Sequence, residues 1–293
     1  RAFGFSKEPL YASIIGNVIN FCLNAFFLFV LHKGVAGVAT ATVISRIINL
    51  VIVVLLGAVL VKAKQHPERE SNRAVMGQII RIGLPSACET AIYNVSMTLV
   101  IRFLNQMDAQ GLNVTARSYT MQITNFSYCV GAALAQANAI MTGWHIGAKE
   151  YDACDRGTKK AAVIGVIVAV ILETVFTLCS GWIMQLFSKD PQMVSLVGKL
   201  LAIDIVLEIG RVTNLVYGQA LKTSGDAVFP VVMGACFMIL CSVGGTYLFG
   251  IRLGLLAVGA YIGMTGDECV RAVGMYLRWK SGKWKEKGLV KSR

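Results

Sequence analysis

Asp204, Glu208 and Arg211 stand at i, i+4 and i+7 in the stretch LLAIDIVLEIGRVTNLVYGQALKTSGDAVFP, residues 200–230. One helical face therefore carries two carboxylates and a guanidinium through a run long enough to cross a bilayer. With a helix start near Met193, Asp204 lies about 16 Å along the axis, close to mid-membrane. Each such charge costs about 2.5 to 3.5 kcal/mol on insertion scales, so it must face protein or water, where it commonly serves an ion or substrate path. Glu208 and Arg211 form an i, i+3 pair that can act as a structural clasp. Asp204 has no local partner, which makes it a candidate for exchanging a cation or a proton.

A second candidate follows Pro85 in RIGLPSACETAIYNVS. The proline deprives the Arg81 carbonyl of its helical partner and favours a kink, and one turn later Glu89, Tyr93 and Ser96 share a face. An acid beside a tyrosine hydroxyl on a loosened helix suits a proton or a small hard cation, which takes oxygen ligands; a purely structural acid is the alternative. Asp267 and Glu268 precede Arg271 at i, i+4 and i, i+3, again allowing an internal ion pair. Glu173, with Thr174 and Thr177 as its nearest polar company, is either functional or simply hydrogen-bonded. Ser13, Asn17, Asn20 and Asn24 form one stripe that either lines a cavity or joins helices. Thr42, Arg46 and Asn49 share a face, and Arg46 needs a carboxylate, a carbonyl or water.

The elements that must hold these groups are apolar helices. With 55% apolar residues, 15% charged residues and a mean hydropathy of +0.62, the composition is not that of a soluble globular domain. Windows at 10–31, 35–61, 76–104, 113–142, 161–187, 193–217, 227–250 and 255–279 predict an all-α integral membrane protein of eight transmembrane helices. The fourth window, broken by Ser118, Gln122, Thr124 and Asn125, is the weakest by hydropathy. The polar run 63–75, AKQHPERESNRAV, marks a boundary between two bundles. The chain begins at Arg1 in the loop-like RAFGFSKEP, without an initiator Met or a signal-peptide pattern, and reads as part of a longer protein.

The net charge of +12 raises nucleic acid as a partner, but the basic residues sort by side of the membrane. Eighteen Lys and Arg fall on the side shared by both termini and five on the other, which predicts cytoplasmic termini in a multi-pass protein of the plasma membrane. The basic tail WKSGKWKEKGLVKSR then serves as a topology signal touching anionic lipid, not nucleic acid. Eight cysteines without a CxxC pair read as small buried hydrophobes. His32, His66 and His145 lack ligand spacing, so no metal site is expected beyond a possible sodium ion. No nucleophile-base pair occurs at the required spacing, so no enzymatic activity is expected.

An internal repeat adds organisation. GFSKEP (Gly4–Pro9) and GDAVFP (Gly225–Pro230) each precede an apolar span; GVAGVA at Gly34 and GLLAVG at Gly254 follow, at offsets of 221 and 220. Each copy then enters a span with a buried arginine, Arg46 or Arg271. An even number of spans separates the copies, so the repeat is parallel, as in transporters built from two bundles with a site between them.

RAFGFSKEPLYASIIGN, GLPSACET, EIGRVTN, LKTSGDAVFP, DECVR and RWKSGKW resemble the multidrug and toxic compound extrusion transporters, in a bacterial branch. The resemblance covers essentially the whole chain. It implies two six-helix lobes, of which residues 1–62 hold the last two helices of the first, 63–75 a cytoplasmic linker, 76–279 the complete second lobe and 280–293 a basic tail. It implies export of cationic amphipathic molecules by alternating access, driven by sodium ions or protons, in a protein that is monomeric at full length and needs no other cofactor. It also implies cation sites at Glu89 and at either Asp204 or Glu208. Two alternatives stand beside it. A flippase for lipid-linked sugars requires a cationic cavity, whereas six intramembrane acids face Arg46, Lys199, Arg211 and Arg271. A membrane sensor or scaffold does not require unpaired acids lining a shared cavity.

Overall fold

The computed structural model describes residues 7–62, 72–108 and 111–287. The first six residues, 63–71 of the expected linker and 288–293 of the basic tail lie outside the described residues. Every regular element among those described is helical. The chain divides into two compact units, residues 1–72 and 73–293.

The first unit is a helical pair. Helix α1 (Lys7–Ala25) widens into a π-helical turn at Phe26–Val30, and α2 runs over Gly34–Lys62. The reversal between them uses left-handed backbone at His32 (φ 48) and Gly34 (φ 54), conformations that cost a side-chain-bearing residue more than glycine. The helices close on each other at Gly16, where a Cβ would lie 2.6 Å from Asn49 Nδ2. Beside that contact Asn20 donates to Ser45 Oγ at 2.9 Å, and Asn24 donates to Asn20 Oδ1 at 3.1 Å.

The second unit is built around one long helix. It comprises α3 (Asn72–Met107), α4 (Leu112–Gly147), α5 (Tyr151–Leu178), the short α6 (Ser180–Met184), α7 (Pro191–Thr223), α8 (Val228–Phe237) and α9 (Leu256–Lys280). Helix α8 continues through π-helical stretches at Met238–Val243 and Thr246–Arg252. Helix α7 starts where Asp190 accepts the Gln192 amide at 3.0 Å, with Pro191 in the first position, so an orphan donor is satisfied and no needed N–H is lost. It then packs against α4, α5 and α9. Val212, fully buried, is wedged between Gly131 of α4 and Gly165 of α5, where added Cβ atoms would stand 2.8 and 2.7 Å from its methyl groups. Gly210 meets backbone: its Cβ would lie 2.9 Å from the Cys269 nitrogen. Small residues thus let three neighbours approach the helix that carries Asp204 and Glu208.

Among the described residues, four helices are long and apolar enough to cross a membrane: Lys7–Val30, Gly34–Val59, Tyr151–Leu178 and Val228–Arg252. Helices α3, α4, α7 and α9 are as long but more polar, and much of that polarity is turned inward. On α4 the face of Arg117, Thr120, Thr124, Ser127, Asn138 and Thr142 is buried. Arg117, counted from sequence with the non-cytoplasmic charges, is therefore an interior side chain, because it lies on this i, i+3, i+7 stripe. Helix α3 passes through Pro85 without a break.

The first and last helical pairs repeat the same backbone hydrogen bonds 222 residues apart. Leu31 N to Phe26 O (3.1 Å) recurs as Leu253 N to Leu248 O (3.0 Å), and Gly37 N to Lys33 O (3.2 Å) recurs as Gly259 N to Leu255 O (3.2 Å). Left-handed residues recur likewise, His32 (φ 48) with Gly254 (φ 70) and Gly34 (φ 54) with Leu256 (φ 53). This corrects the offsets of 220 and 221 obtained by matching glycines. The two left-handed positions are filled by His and Gly in one copy and by Gly and Leu in the other, so pairing glycine with glycine slips the register. At this offset Arg46 corresponds to Glu268 and Arg271 to Asn49, so the arginines of the two copies occupy different positions.

Candidate functional site

Glu89, Asp204, Asp267 and Glu268 of the second unit border two adjoining cavities. The smaller, about 220 Å³, is lined by Arg117, Tyr128, Asp204, Arg211, Tyr261 and Glu268 among others. The larger, about 400 Å³, is lined by Glu89, Tyr128, Arg211, Lys222, Glu268 and Arg271 among others. Tyr93, Tyr128, Arg211 and Glu268 belong to both.

Between them runs a chain of ion pairs. Arg211 Nη1 donates to Glu208 Oε2 at 2.7 Å, and Arg211 Nε stands 4.0 Å from Glu268 Oε1. Arg271 Nη2 approaches the same Glu268 oxygen to 2.8 Å, while Asn214 donates to Glu268 Oε2 at 3.0 Å. Arg271 also holds Asp267 through two bonds, to which Ser242 adds a third at 2.9 Å. The i, i+3 and i, i+4 pairs expected on α7 and α9 are therefore formed, and Glu268 joins the two helices.

Three carboxylates of the second unit keep oxygens without a hydrogen bond among the described residues. Asp204 is 2% exposed, borders the smaller cavity and leaves Oδ2 without a hydrogen bond. Glu208 is fully buried and leaves Oε1 without one. Glu173 is also fully buried, and neither of its oxygens is hydrogen-bonded; it interacts electrostatically with Asp204 and Glu208. Glu173 borders neither of these two cavities; its helix α5 packs against α7. Five carboxylates, Glu173, Asp204, Glu208, Asp267 and Glu268, share this interior with the guanidinium groups of Arg117, Arg211 and Arg271. Buried charge without a partner is strongly unfavourable, so such an excess of acid calls for protons or other cations.

Glu89 is placed differently. Lys222 in the last turn of α7 donates to its Oε2 at 2.6 Å. Glu89 is thereby paired across helices, with a cation 133 positions away in sequence. Helix α7 extends to Thr223, which carries the lysine inside the unit. Tyr93, half-exposed, borders both cavities, whereas Ser96 of the same face is buried in packing. Arg117, Asn214, Lys222 and Ser242 were missed as site residues. For Arg117 and Lys222 the available signal was helical spacing, from Arg117 to Thr124 and from Asn214 through Gly218 to Lys222.

In the first unit Asn17, Asn20, Thr42, Ser45, Arg46 and Asn49 border a pocket of about 50 Å³. Asn24 does not reach it and is bound to Asn20 instead. Arg46 is exposed at the pocket's edge. No group of three or more His, Cys, Asp or Glu side chains suited to a metal ion occurs among the described residues.

Comparison with known proteins fits this arrangement. The MatE family model matches residues 85–248. A Bacillus subtilis relative described as an uncharacterized transporter, YisQ, is 32% identical over 99% of this chain and 65% of its own length. The probable multidrug resistance protein YoeA of the same organism is 22% identical over 99% of this chain and 64% of its own length. The crystal structure of the eukaryotic MATE transporter AtDTX14 superposes with a TM-score of 0.85 at 19% identity, covering 95% of this chain and 63% of that one. The chain thus spans just under two thirds of the length of these relatives. On the family match and the shared fold, the chain belongs to the MatE family of membrane transporters.

Proposed function

We propose that this chain is the carboxyl-terminal part of a secondary antiporter that exports cationic amphipathic molecules in exchange for sodium ions or protons. Residues 76–279 form one lobe of an alternating-access pair, and residues 1–62 contribute the last two helices of the other. Both termini of the chain lie on the cytoplasmic side of the plasma membrane. The observation that carries this reading is the excess of buried carboxylate over guanidinium beside open space, with Asp204 and Glu208 each presenting an oxygen that has no donor. Between those two, Asp204 is the better coupling acid. It borders a cavity and, among the described residues, has no cation within ion-pair distance, whereas Glu208 is clamped by Arg211. The multidrug-resistance description of the YoeA relative supports the substrate class.

Mechanistically, one positive partner replaces another. A coupling cation entering beside Asp204 lowers the cost of the buried negative charge and biases the unit toward one state, and the organic cation biases it toward the other. The test is ethidium export by the full-length protein in liposomes under separately imposed sodium and proton gradients. Export driven by one of them is expected; no export under either would overturn the reading.

A further inference from the structure

Among the described residues, Lys222 is the one cation of the second unit that meets an acid of the larger cavity from the end of a helix. Its Nζ lies 2.6 Å from Glu89 Oε2, and the two side chains are 19% and 18% exposed. Both border the larger cavity, whose wall also includes Tyr93, Tyr128, Met238 and Met275. Tyrosine rings and thioethers offer an organic cation polarisable faces.

Lysine is a compact ammonium on a flexible four-carbon stem, without the planar fork that lets arginine hold a carboxylate at two points. Here that difference is visible within one unit. Arg271 grips Asp267 with two bonds from one turn away on a single helix; Lys222 reaches Glu89 with one bond from another helix. None of the α3 side chains from residue 83 to residue 95 is buried, and burial begins at Ser96, Val100 and Leu104. The ion pair ties this segment of α3 to the core helix of the unit.

We propose that Lys222 is a tethered stand-in for the exported cation: its ammonium occupies Glu89 until an organic ammonium ion enters the larger cavity and displaces it. The inference rests on the export reading above and adds to it a specificity-determining residue and a competitor built into the chain. Displacement exchanges one cation for another at Glu89, so the carboxylate is never left without a partner. The released lysine, in the last turn of α7 next to the reversal at residues 224–227, returns to water at the end of the helix. Release also breaks this link between α3 and α7.

The experiment measures ethidium binding to the purified full-length protein by fluorescence anisotropy, comparing wild type with Lys222→Gln, Lys222→Arg and Glu89→Gln. Removal of the competitor in Lys222→Gln tightens binding on the order of tenfold, the factor that corresponds to losing one modest ion pair. Lys222→Arg weakens binding, and Glu89→Gln with Lys222→Gln behaves as Glu89→Gln alone. If wild type binds ethidium and Lys222→Gln binds it equally or more weakly, the stand-in role is wrong while the export reading stands. If wild type does not bind, the export reading fails and takes this one with it. A second readout needs no variant: ethidium should raise the rate at which an amine-reactive ester labels Lys222 in wild type, read by mass spectrometry, and an unchanged rate overturns the proposal.

Discussion

Arg271 closes two hydrogen bonds on Asp267 from one turn away on α9, Nε to Oδ1 at 2.7 Å and Nη2 to Oδ2 at 2.9 Å. Both side chains are buried, and Arg271 also binds Glu268. This geometry satisfies the acid where it sits and leaves it little to exchange. It is the opposite of Asp204, whose Oδ2 has no donor.

Asp267→Asn is therefore expected to act on stability first. Removing one partner of this buried, hydrogen-bonded pair leaves Arg271 with Glu268 as its remaining anion, so the cost falls at the lower end of the about 3 to 5 kcal/mol expected for breaking a buried pair. Thermal unfolding of the full-length variant in detergent should show a large loss of stability, and a midpoint equal to wild type would mean that the pair is not structural.

Gly210→Ala tests the packing that positions the acids. The new Cβ would meet the Cys269 nitrogen and the Glu268 carbonyl carbon, each at 2.9 Å, and backbone cannot swing aside as a flexible side chain does. Separation of α7 from α9 should cost about 1 to 3 kcal/mol. Gly157→Ala, where a Cβ meets nothing within 4 Å, serves as the control and should melt no lower than wild type.

Asp226, in the reversal between α7 and α8, gives a pH dependence outside the spans. Burial pulls its carboxyl upward, but hydrogen bonds from Arg278 (2.6 Å) and Lys287 (2.7 Å) outweigh it and hold the pKa below the ordinary 3.8. A depressed folded-state pKa contributes stability that is complete above the unfolded value and is lost as pH falls through the folded one. Asp226→Asn should thus be less stable than wild type at pH 7, with the gap closing as pH falls below about 4, since that is where an aspartate with an ordinary pKa titrates. Denaturant unfolding across that range checks it; a gap independent of pH would assign the effect to something other than the ionised carboxylate.

The helical plan was legible because hydrophobic runs of bilayer length leave few alternatives, and the local ion pairs were legible because i, i+3 and i, i+4 spacing decides them. Contacts between distant segments were not. Nothing in the neighbourhood of Glu89 announces Lys222, 133 positions away, and Arg117 was assigned to a side of the membrane by counting spans, which ignores where its own helix points it. The repeat was recognised but slipped by one or two positions, since the left-handed turn places glycine at different points in the two copies. Glu173 was unresolved for a related reason: spacing gives the face of a helix, and only packing tells whether that face meets a cavity or another helix.

The claim that an unclamped carboxylate beside open space carries the exchange is tested most directly by Asp204→Asn in the full-length protein. Cation-driven ethidium export from proteoliposomes should be abolished, while ordinary folding is verified by the variant's elution and melting. Undiminished export in Asp204→Asn would contradict the account.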